Sequence, residues 1–389
     1  MVTKKRLLFI IPTLRGAGAE RVLIDILNRF DYNRYEVDLL LYDNKGELFE
    51  HVNDKVRTHV LYTKRRPKIP LIENRYTRNI FLFIRSLLAL NPFIWYDTVI
   101  SFLEGEGILL HNHVLNRRRK NISWVHIDLR LNHWTKNNFR NNALELKAYK
   151  KMDLTVFVSN QAKLSFKKLF GEEVPSKVIL NLIERKRIRE LSSESIAISK
   201  DHQYTICTVG RLTDQKRHDR MIKALSILVN RYNLDVGLWI IGQGENFSML
   251  EELAHLSGVD DRVVFLGFKT NPYPYIKSAD IFALSSDAEG YPLVICEALC
   301  LGKPIVSTDT TGPSELLADN VGILTGKDEN SLAAGLAKLC QEPALLTEYS
   351  RRSIKKSMDF CPEEIMNEIY DIVKVHPKNG VMAWCRHNK

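Results

Sequence analysis

Short apolar runs alternate with amphipathic helical patterns along most of the 389-residue chain, and this alternation constrains the fold more than any other feature. In the first half, apolar runs fall at residues 7–11, 36–42, 98–102, 122–125 and 154–158, with a helical pattern over 22–30. Apolar strands separated by helices are typical of a parallel sheet covered on both faces. The sequence therefore predicts an α/β fold.

The same alternation starts again in the second half. Residues 186–202 are rich in charge and serine and show no core-forming pattern, so we predict a linker there. Later apolar runs fall at residues 205–209, 237–241, 263–266, 281–284 and 304–306, with a helical pattern over 218–230. Single cores rarely grow to this chain length. The pattern predicts two Rossmann-like domains, at residues 1–185 and 203–360.

The nine residues Glu289-Gly-Tyr-Pro-Leu-Val-Ile-Cys-Glu297 follow an apolar run and open a helical pattern. Pro292 suits the first helical position, because its missing N–H would have no partner there. The free N–H groups from Leu293 onward would form an anion site. The two carboxylates, Glu289 and Glu297, can hold hydroxyl groups beside a bound phosphate. Phosphate and polyol together are the chemistry of a nucleotide sugar.

A glycine-containing loop, Arg15-Gly-Ala-Gly-Ala-Glu-Arg21, lies between the first predicted strand and helix. Gly16 and Gly18 would let the backbone approach a ligand closely. As a dinucleotide fingerprint the loop is weak, because Arg21 stands at the third glycine position and no clear ribose-binding acid follows the second strand.

A second loop, Gly210-Arg-Leu-Thr-Asp-Gln-Lys216, follows the predicted strand at residues 205–209. It places two cations, Arg211 and Lys216, at the tip of that strand. Two cations there can neutralise a diphosphate that gains charge as a glycosidic bond breaks.

These segments resemble the motifs of retaining glycosyltransferases of family 4, which have the GT-B fold. Residues 289–297 are similar to the E-x7-E motif, and residues 210–216 to the Gly-Arg-Leu…Lys segment. Residues 16–21 are similar to the Gly-Gly-Ala-Glu-Arg loop, with Ala17 in place of one usual glycine. The resemblance covers most of residues 7–375.

The resemblance implies an architecture in which the two Rossmann-like domains face a central cleft. It also implies a helix at residues 361–376 that crosses back onto the first domain. Residues 377–389 would be a tail, and they carry no pattern that we can interpret.

The resemblance further implies roles for individual residues. Glu297 would hold the ribose hydroxyls and Glu289 would contact the donor sugar. Arg211, Lys216 and the N–H groups near Leu293 would hold the diphosphate, and the leaving phosphate would take the acceptor proton. The predicted catalytic residues are His126, Glu289, Arg211 and Lys216. The predicted donor-binding residues are Gly16, Gly18, Arg211, Lys216, Gly267, Glu289, Gly290, Tyr291, Pro292, Leu293 and Glu297.

Two of these residues, His126 and Gly267, are assigned to the site because of their position at the end of a predicted strand. Related enzymes carry a histidine where His126 follows residues 122–125, and its implied role is to bond a sugar hydroxyl and help position the acceptor. Loops at the carboxyl ends of strands line the crevice of an α/β sheet. Residues 267–270, which begin with Gly267, are therefore candidates for contacts to the nucleotide base.

The implied activity is a retaining hexosyltransferase. The expected donor is a nucleotide-diphosphate sugar, specifically a UDP-sugar, and the expected acceptor is a saccharide, specifically a lipid-linked one, in bacterial surface polysaccharide or glycan biosynthesis. No D-x-D triplet occurs and Arg211 and Lys216 can supply the charge, so we expect no metal and no other cofactor. A nucleotide-sugar epimerase of the same fold remains an alternative.

The net charge of +10 is concentrated in the first half. Residues 1–190 contain 35 Lys and Arg against 20 Asp and Glu, and the remainder contains 21 against 26. Basic clusters lie at residues 64–66, 117–120 and 185–187. This asymmetry indicates an anionic partner. A nucleic-acid-binding protein would fit the charge, but no aromatic-basic motif appears, so we expect no nucleic acid. With the basic and apolar residues 64–90, the charge favours an anionic membrane surface.

Several features bear on localisation. No run reaches the roughly 18 consecutive apolar residues that span a bilayer. Residues 7–11 are too short an apolar run for a signal peptide, and Pro12 and Arg15 interrupt it. The six cysteines show no C-x2-C spacing and are interpreted as reduced thiols. We expect a cytoplasmic protein, peripheral on the inner face of the cell membrane.

Overall fold

The computed structural model describes residues 3–44, 46–62, 84, 89–90, 95–114 and 120–374. Its first half forms a seven-stranded parallel sheet in the order β3-β2-β1-β4-β5-β6-β7. The strands are β1 (Lys5–Ile10), β2 (Tyr35–Asp43), β3 (Arg57–Tyr62), β4 (Thr98–Ser101), β5 (Lys120–Val125), β6 (Leu154–Phe157) and β7 (Ser176–Val178). The strand order reverses at β1, and such a switch point opens a crevice at the carboxyl ends of the strands.

The second half forms a six-stranded parallel sheet in the order β10-β9-β8-β11-β12-β13. Its strands are β8 (Tyr204–Val209), β9 (Val236–Ile241), β10 (Val263–Gly267), β11 (Ile281–Leu284), β12 (Ile305–Thr308) and β13 (Ile323–Thr325). Here the order reverses at β8. The predicted α/β fold with two Rossmann-like units is therefore confirmed.

Helices connect the strands of both sheets. Those in the first half are α1 (Gly18–Arg29), α2 (Glu106–Val114), α3 (Asn142–Tyr149), α4 (Asn160–Phe170) and α5 (Arg185–Leu191). Those in the second half are α6 (His218–Asn230), α7 (Phe247–Leu256), α8 (Tyr273–Ser278), α9 (Leu293–Cys300), α10 (Thr311–Leu316), α11 (Glu329–Gln341), α12 (Pro343–Ser357) and α13 (Pro362–Val373).

Burial explains which strands the apolar pattern predicts and which it misses. Every residue of β4 and of β9 is buried, as expected for strands covered on both faces. The pattern misses β3, β7 and β13, all of which lie at sheet edges and are partly exposed. An edge strand needs fewer apolar residues, so its sequence can carry a weaker signal. The edge strand β10 is still predicted, because its first four residues are all apolar.

Two local details of the structure were not expected from the sequence. Helix α5 (Arg185–Leu191) overlaps the start of the predicted linker at 186–202, and only Ile188 of that helix is buried. With one buried residue among seven, the sequence of this helix shows no repeating apolar pattern from which a helix could be predicted. Pro292 is the N-cap of α9, with φ −71° and ψ 109°, and not its first helical residue. The helix therefore begins with the N–H of Leu293.

The last described helix, α13, packs against the first half of the chain. The Tyr370 ring stacks on the Tyr35 ring with centroids 5.5 Å apart, and its hydroxyl accepts from the Asp31 N–H at 3.0 Å. Glu363 pairs with Arg29 at 3.1 Å. The basic clusters at 64–66 and 117–119, most of residues 64–90 and the tail at 377–389 lie outside the described residues.

Candidate active site

Loops that follow strands of both sheets line one cleft of about 730 Å³. The first sheet contributes residues after β1, β4 and β5, and the second contributes residues after β8, β9, β10 and β11. The carboxyl ends of both sheets thus border the same space, which is where α/β sheets bind ligands. The predicted site residues that line it are Gly16, Gly18, His126, Arg211, Lys216, Glu289, Gly290, Tyr291, Pro292, Leu293 and Glu297.

Gly267 is the predicted site residue that does not line the cleft. It ends β10 with a φ of 68°, a left-handed conformation that glycine adopts without strain. This turn brings the next two residues, Phe268 and Lys269, to the wall of the cleft instead. A base contact at this loop would therefore involve those residues.

Lys216 and Glu289 form an ion pair at the wall of the cleft. Lys216 Nζ donates to Glu289 Oε1 at 2.6 Å, and the same oxygen accepts from Ser286 Oγ at 2.6 Å. Lys216 comes from the loop between β8 and α6, and Glu289 from the loop between β11 and α9. The adjacency of β8 and β11 in the sheet brings these two loops together. Arg211, on the same loop as Lys216, is exposed.

Glu297 lies on α9, and its two carboxylate oxygens differ in environment. Oε1 accepts from the Tyr273 hydroxyl at 3.1 Å, whereas Oε2 is buried and has no hydrogen-bond partner among the described residues. Burial raises the pKa of Glu297, and the nearby positive charge of Arg21 opposes that shift. One turn away, the first N–H groups of α9 have no partner within the helix, as at any helix start. An anion and a pair of hydroxyl groups could be held side by side here.

His126 lies at the end of β5, with its ring 4.9 Å from the Phe102 ring. Burial lowers its pKa to about 3, and a hydrogen bond to the Phe102 backbone opposes that shift only in part. The imidazole is therefore neutral at physiological pH. Nε2 is buried without a hydrogen-bond partner among the described residues, which leaves it able to accept from a ligand hydroxyl.

Glycines bring the two halves of the chain into backbone contact beside the cleft. A Cβ added to Gly290 would lie 2.1 Å from the His126 carbonyl oxygen. The loop before α9 can approach the end of β5 this closely because the side chain is absent. Gly18, at the start of α1, faces the Leu293 side chain, which a Cβ would meet at 3.4 Å. The predicted motifs from distant parts of the sequence therefore meet at one place.

Two family descriptions match the chain over adjacent segments. "Glycosyltransferase Family 4" matches residues 16–187, and "Glycosyl transferases group 1" matches residues 191–357. Together these segments cover every described strand except β1, and every residue that lines the cleft except Arg15. The chain belongs to the family 4 glycosyltransferases. Members of this family are retaining enzymes that use nucleotide sugars and typically need no metal ion.

Individual relatives agree with this assignment. An uncharacterized glycosyltransferase of Haemophilus influenzae is 26% identical over 373 residues, which cover 94% of this chain and 98% of the relative. N-acetylgalactosamine-N,N'-diacetylbacillosaminyl-diphospho-undecaprenol 4-alpha-N-acetylgalactosaminyltransferase of Campylobacter jejuni is 27% identical, over 92% and 96% of the two chains. The crystal structure of Anabaena HepE in complex with UDP and glucose has a TM-score of 0.73 at 20% identity, over 94% and 98%. The GT-B fold is thus shown.

Two features are absent from the described part of the glycosyltransferase. Within the described ranges, no group of three or more His, Cys, Asp or Glu side chains could hold a metal ion. In that same part of the chain, no helix is long and apolar enough to cross a membrane.

The sequence patterns do not identify several polar or aromatic residues that line the glycosyltransferase cleft, among them Glu104, Asn132, Trp134 and Gln215. Glu104 follows β4, so its place after a buried strand could have identified it. Asn132 lies in a loop after β5 and Trp134 begins a short 3-10 helix (Trp134–Asn137), and neither gives a periodic pattern that would signal its position. Gln215 stands beside Lys216 in a loop for which only the cations were considered.

Proposed function

We propose that this glycosyltransferase moves a hexose from a UDP-sugar to a saccharide carried on a lipid diphosphate, in the assembly of a bacterial surface glycan. The Campylobacter jejuni relative is named for an undecaprenol diphosphate acceptor, which supports the lipid-linked saccharide. HepE was crystallised with UDP and glucose, which supports the donor. A further relative from Rhizobium meliloti is a lipopolysaccharide core biosynthesis glycosyltransferase.

The observation that carries the donor assignment is the Oε2 atom of Glu297 at the wall of the cleft, which is buried and has no hydrogen-bond partner in the described part of the chain. A buried carboxylate oxygen without a donor costs free energy, which a ligand hydroxyl would recover. In the proposed complex, Glu297 accepts hydrogen bonds from the ribose hydroxyls. Phe268 and Lys269 lie on the same wall and would border the base.

The proposed diphosphate site combines side-chain cations with a helix start. Lys216 and Arg211 would face the two phosphates, and the free N–H groups at Leu293 would bond phosphate oxygens. In the structure Lys216 pairs with Glu289, so its ammonium is already held at the wall of the cleft. Fixed cations stabilise the charge that the leaving diphosphate gains as the glycosidic bond breaks.

The proposed sugar site lies between the two halves of the chain. Glu289 would accept from hydroxyls of the donor sugar, and the neutral His126 ring would accept another through Nε2. The reaction would take place on one face of the sugar, and the leaving phosphate would take the acceptor proton. Glu289 then serves as a binding group and not as a general acid.

We further propose that the enzyme works in the cytoplasm, on the inner face of the cell membrane, where a lipid-linked acceptor would be available. The excess of cations in residues 1–190 supports attraction to anionic lipid. The clusters at 64–66 and 117–119 that motivate this proposal lie outside the described residues.

A screen of the purified chain tests the proposed function. UDP-, GDP- and ADP-hexoses would be combined with prenyl diphosphates that carry one or two sugars, and products would be detected by mass spectrometry. We expect transfer with a UDP-sugar and retention of the anomeric configuration. Transfer only from a GDP- or ADP-sugar would contradict the donor assignment. An epimerised nucleotide sugar formed without any acceptor would instead indicate an epimerase.

A further inference from the structure

The indole of Trp134 is fixed at two points on the wall of the cleft. Its Nε1–H donates to Glu104 Oε1 at 3.2 Å. Its six-membered ring packs over Gly105, where an added Cβ would lie 2.6 Å from Cη2. Trp134 is partly exposed and lines the cleft. A ring held at both ends in this way presents a preformed apolar surface to a ligand.

Glu104 connects that ring to the end of β5. The residue is 3% exposed, and its second oxygen, Oε2, accepts from the His126 backbone N–H at 3.0 Å. One carboxylate therefore sets the position of Trp134 relative to the backbone of His126. Both the carboxylate and the indole reach the cleft.

A chain of hydrogen bonds places this corner beside the proposed sugar site. Asn132 Nδ2 donates to Gln215 Oε1 at 3.3 Å, and Gln215 Nε2 donates to the Ala288 carbonyl at 2.8 Å. Ala288 immediately precedes Glu289. Asn132 lies two residues before Trp134, and Trp134 and Glu289 line the same cleft. A group that contacts Trp134 would therefore share this cleft with the proposed sugar site.

We propose that Trp134 is the stacking surface for the acceptor saccharide and that Glu104 is the residue that positions it. The ligand class is a pyranose, whose apolar C–H face would cover the indole while its hydroxyls reach the surrounding polar groups. This proposal rests on the proposed function, which supplies the need for a saccharide acceptor. Stacking of the nucleotide base is the competing use of an aromatic ring, but the base is assigned to the loop after β10.

Saturation-transfer NMR with the full chain tests this subsite. The probes are the methyl glycosides of glucose, galactose and N-acetylglucosamine, each in the presence of UDP. We expect at least one glycoside to receive saturation mainly on the protons of one ring face. That signal should be lost in Trp134→Ala, retained in Trp134→Phe, and reduced in Glu104→Gln, because an amide cannot accept from both N–H donors. Trp95→Ala, which removes an exposed tryptophan elsewhere, is the matched control.

Calorimetry with UDP on the same samples separates the two proposals. Unchanged UDP affinity in Trp134→Ala, with loss of the glycoside signal, supports an acceptor subsite. Equal glycoside signals in the wild type and in Trp134→Ala would overturn it, and so would the absence of any glycoside signal from a wild-type chain that binds UDP. Failure of the wild type to bind UDP would count against the proposed donor, whatever the glycosides show.

Discussion

The Glu297 carboxylate is the most sharply defined group of the cleft, because one oxygen is bonded to Tyr273 and the other has no partner among the described residues. Replacing it in Glu297→Gln should weaken UDP binding by about 1.5–3 kcal/mol, since a charge-assisted hydrogen bond is lost. That corresponds to roughly a 10- to 100-fold rise in Kd by calorimetry. Burial raises the pKa of Glu297, so wild-type affinity should fall as the pH is lowered and this carboxyl takes up a proton.

Glu251→Gln is the matched control for that substitution, because Glu251 is exposed on α7 and does not line the cleft. It should leave the Kd for UDP unchanged. Equal affinities of the wild type and Glu297→Gln across the pH range would remove Glu297 from the donor site.

Lys216 forms an ion pair with Glu289 in the structure, and in the proposed complex it also contacts the donor diphosphate. In Lys216→Ala both interactions are lost, and we expect UDP affinity to fall by about 1.5–3 kcal/mol. Lys327→Ala is a suitable control, because Lys327 is exposed and bonds the Asp287 carbonyl outside the cleft. The Lys216→Ala substitution should weaken the binding of UMP, which has one phosphate fewer, less than it weakens the binding of UDP. A similar loss for both nucleotides would contradict a role at the diphosphate.

At the scale of elements, the contact between the α9 loop and the end of β5 depends on the absence of a side chain at Gly290. In Gly290→Ala the new Cβ would lie 2.1 Å from the His126 carbonyl oxygen and 2.8 Å from the Ile127 Cα. Both are backbone atoms, so the two loops must separate. We expect a loss of about 1–3 kcal/mol in stability, as for overpacked sites, and weaker UDP binding.

Gly107→Ala is the control for this effect, because its Cβ would meet no described atom closer than 3.6 Å and the residue lies in α2. Thermal denaturation and UDP calorimetry should show a loss of stability and of affinity in Gly290→Ala alone, because alanine at a helical position such as 107 is favoured over glycine. If the two variants behave alike, the close approach does not set the geometry of the cleft.

The elements differ in how far the sequence predicts them. Buried strands such as β9 and the helix α6 give strong periodic patterns, and the pattern finds both. The edge strand β3 does not, because only its last two residues are buried. The site follows the same logic. Glu289 and Glu297 are recognised from local spacing, whereas Trp134 owes its place to contacts with Glu104 and Gly105, about 30 residues away. Such contacts leave no local pattern.

At the scale of the whole molecule, we propose that the positive charge in the cleft comes from two side chains and from the N-terminus of α9, which lie in different parts of the chain. Lys216, Arg211 and Leu293, which begins α9, all line the cleft, and in the proposed mechanism these groups supply the positive charge that a metal ion would otherwise provide. Transfer should therefore survive chelation. The measurement is the initial rate of transfer in EDTA and after addition of Mg²⁺ or Mn²⁺. Loss of transfer in EDTA that either ion restores would contradict this mechanism.

The distribution of charge along the chain motivates the last prediction, which concerns the membrane. Residues 1–190 contain 35 basic and 20 acidic residues. We expect this half to bind anionic vesicles reversibly. Because salt screens exposed charges beyond about 8 Å at physiological ionic strength, binding should fall steeply as salt is added. Flotation with vesicles of phosphatidylglycerol and with vesicles of phosphatidylcholine measures it.

Charge reversal at Lys64, Arg65 and Arg66, which lie outside the described residues, should reduce flotation with the anionic vesicles. Each basic residue near such a surface contributes about 1 kcal/mol, so three reversals should have a large effect. UDP affinity should not change, because the proposed donor contacts lie mainly in the second half. The matched control reverses three exposed lysines of the second half, Lys223, Lys338 and Lys355. Equal loss of flotation in both triple variants would show that net charge alone governs vesicle binding. If the wild type floats with neither kind of vesicle, the basic residues of the first half do not bind a membrane and are simply solvated.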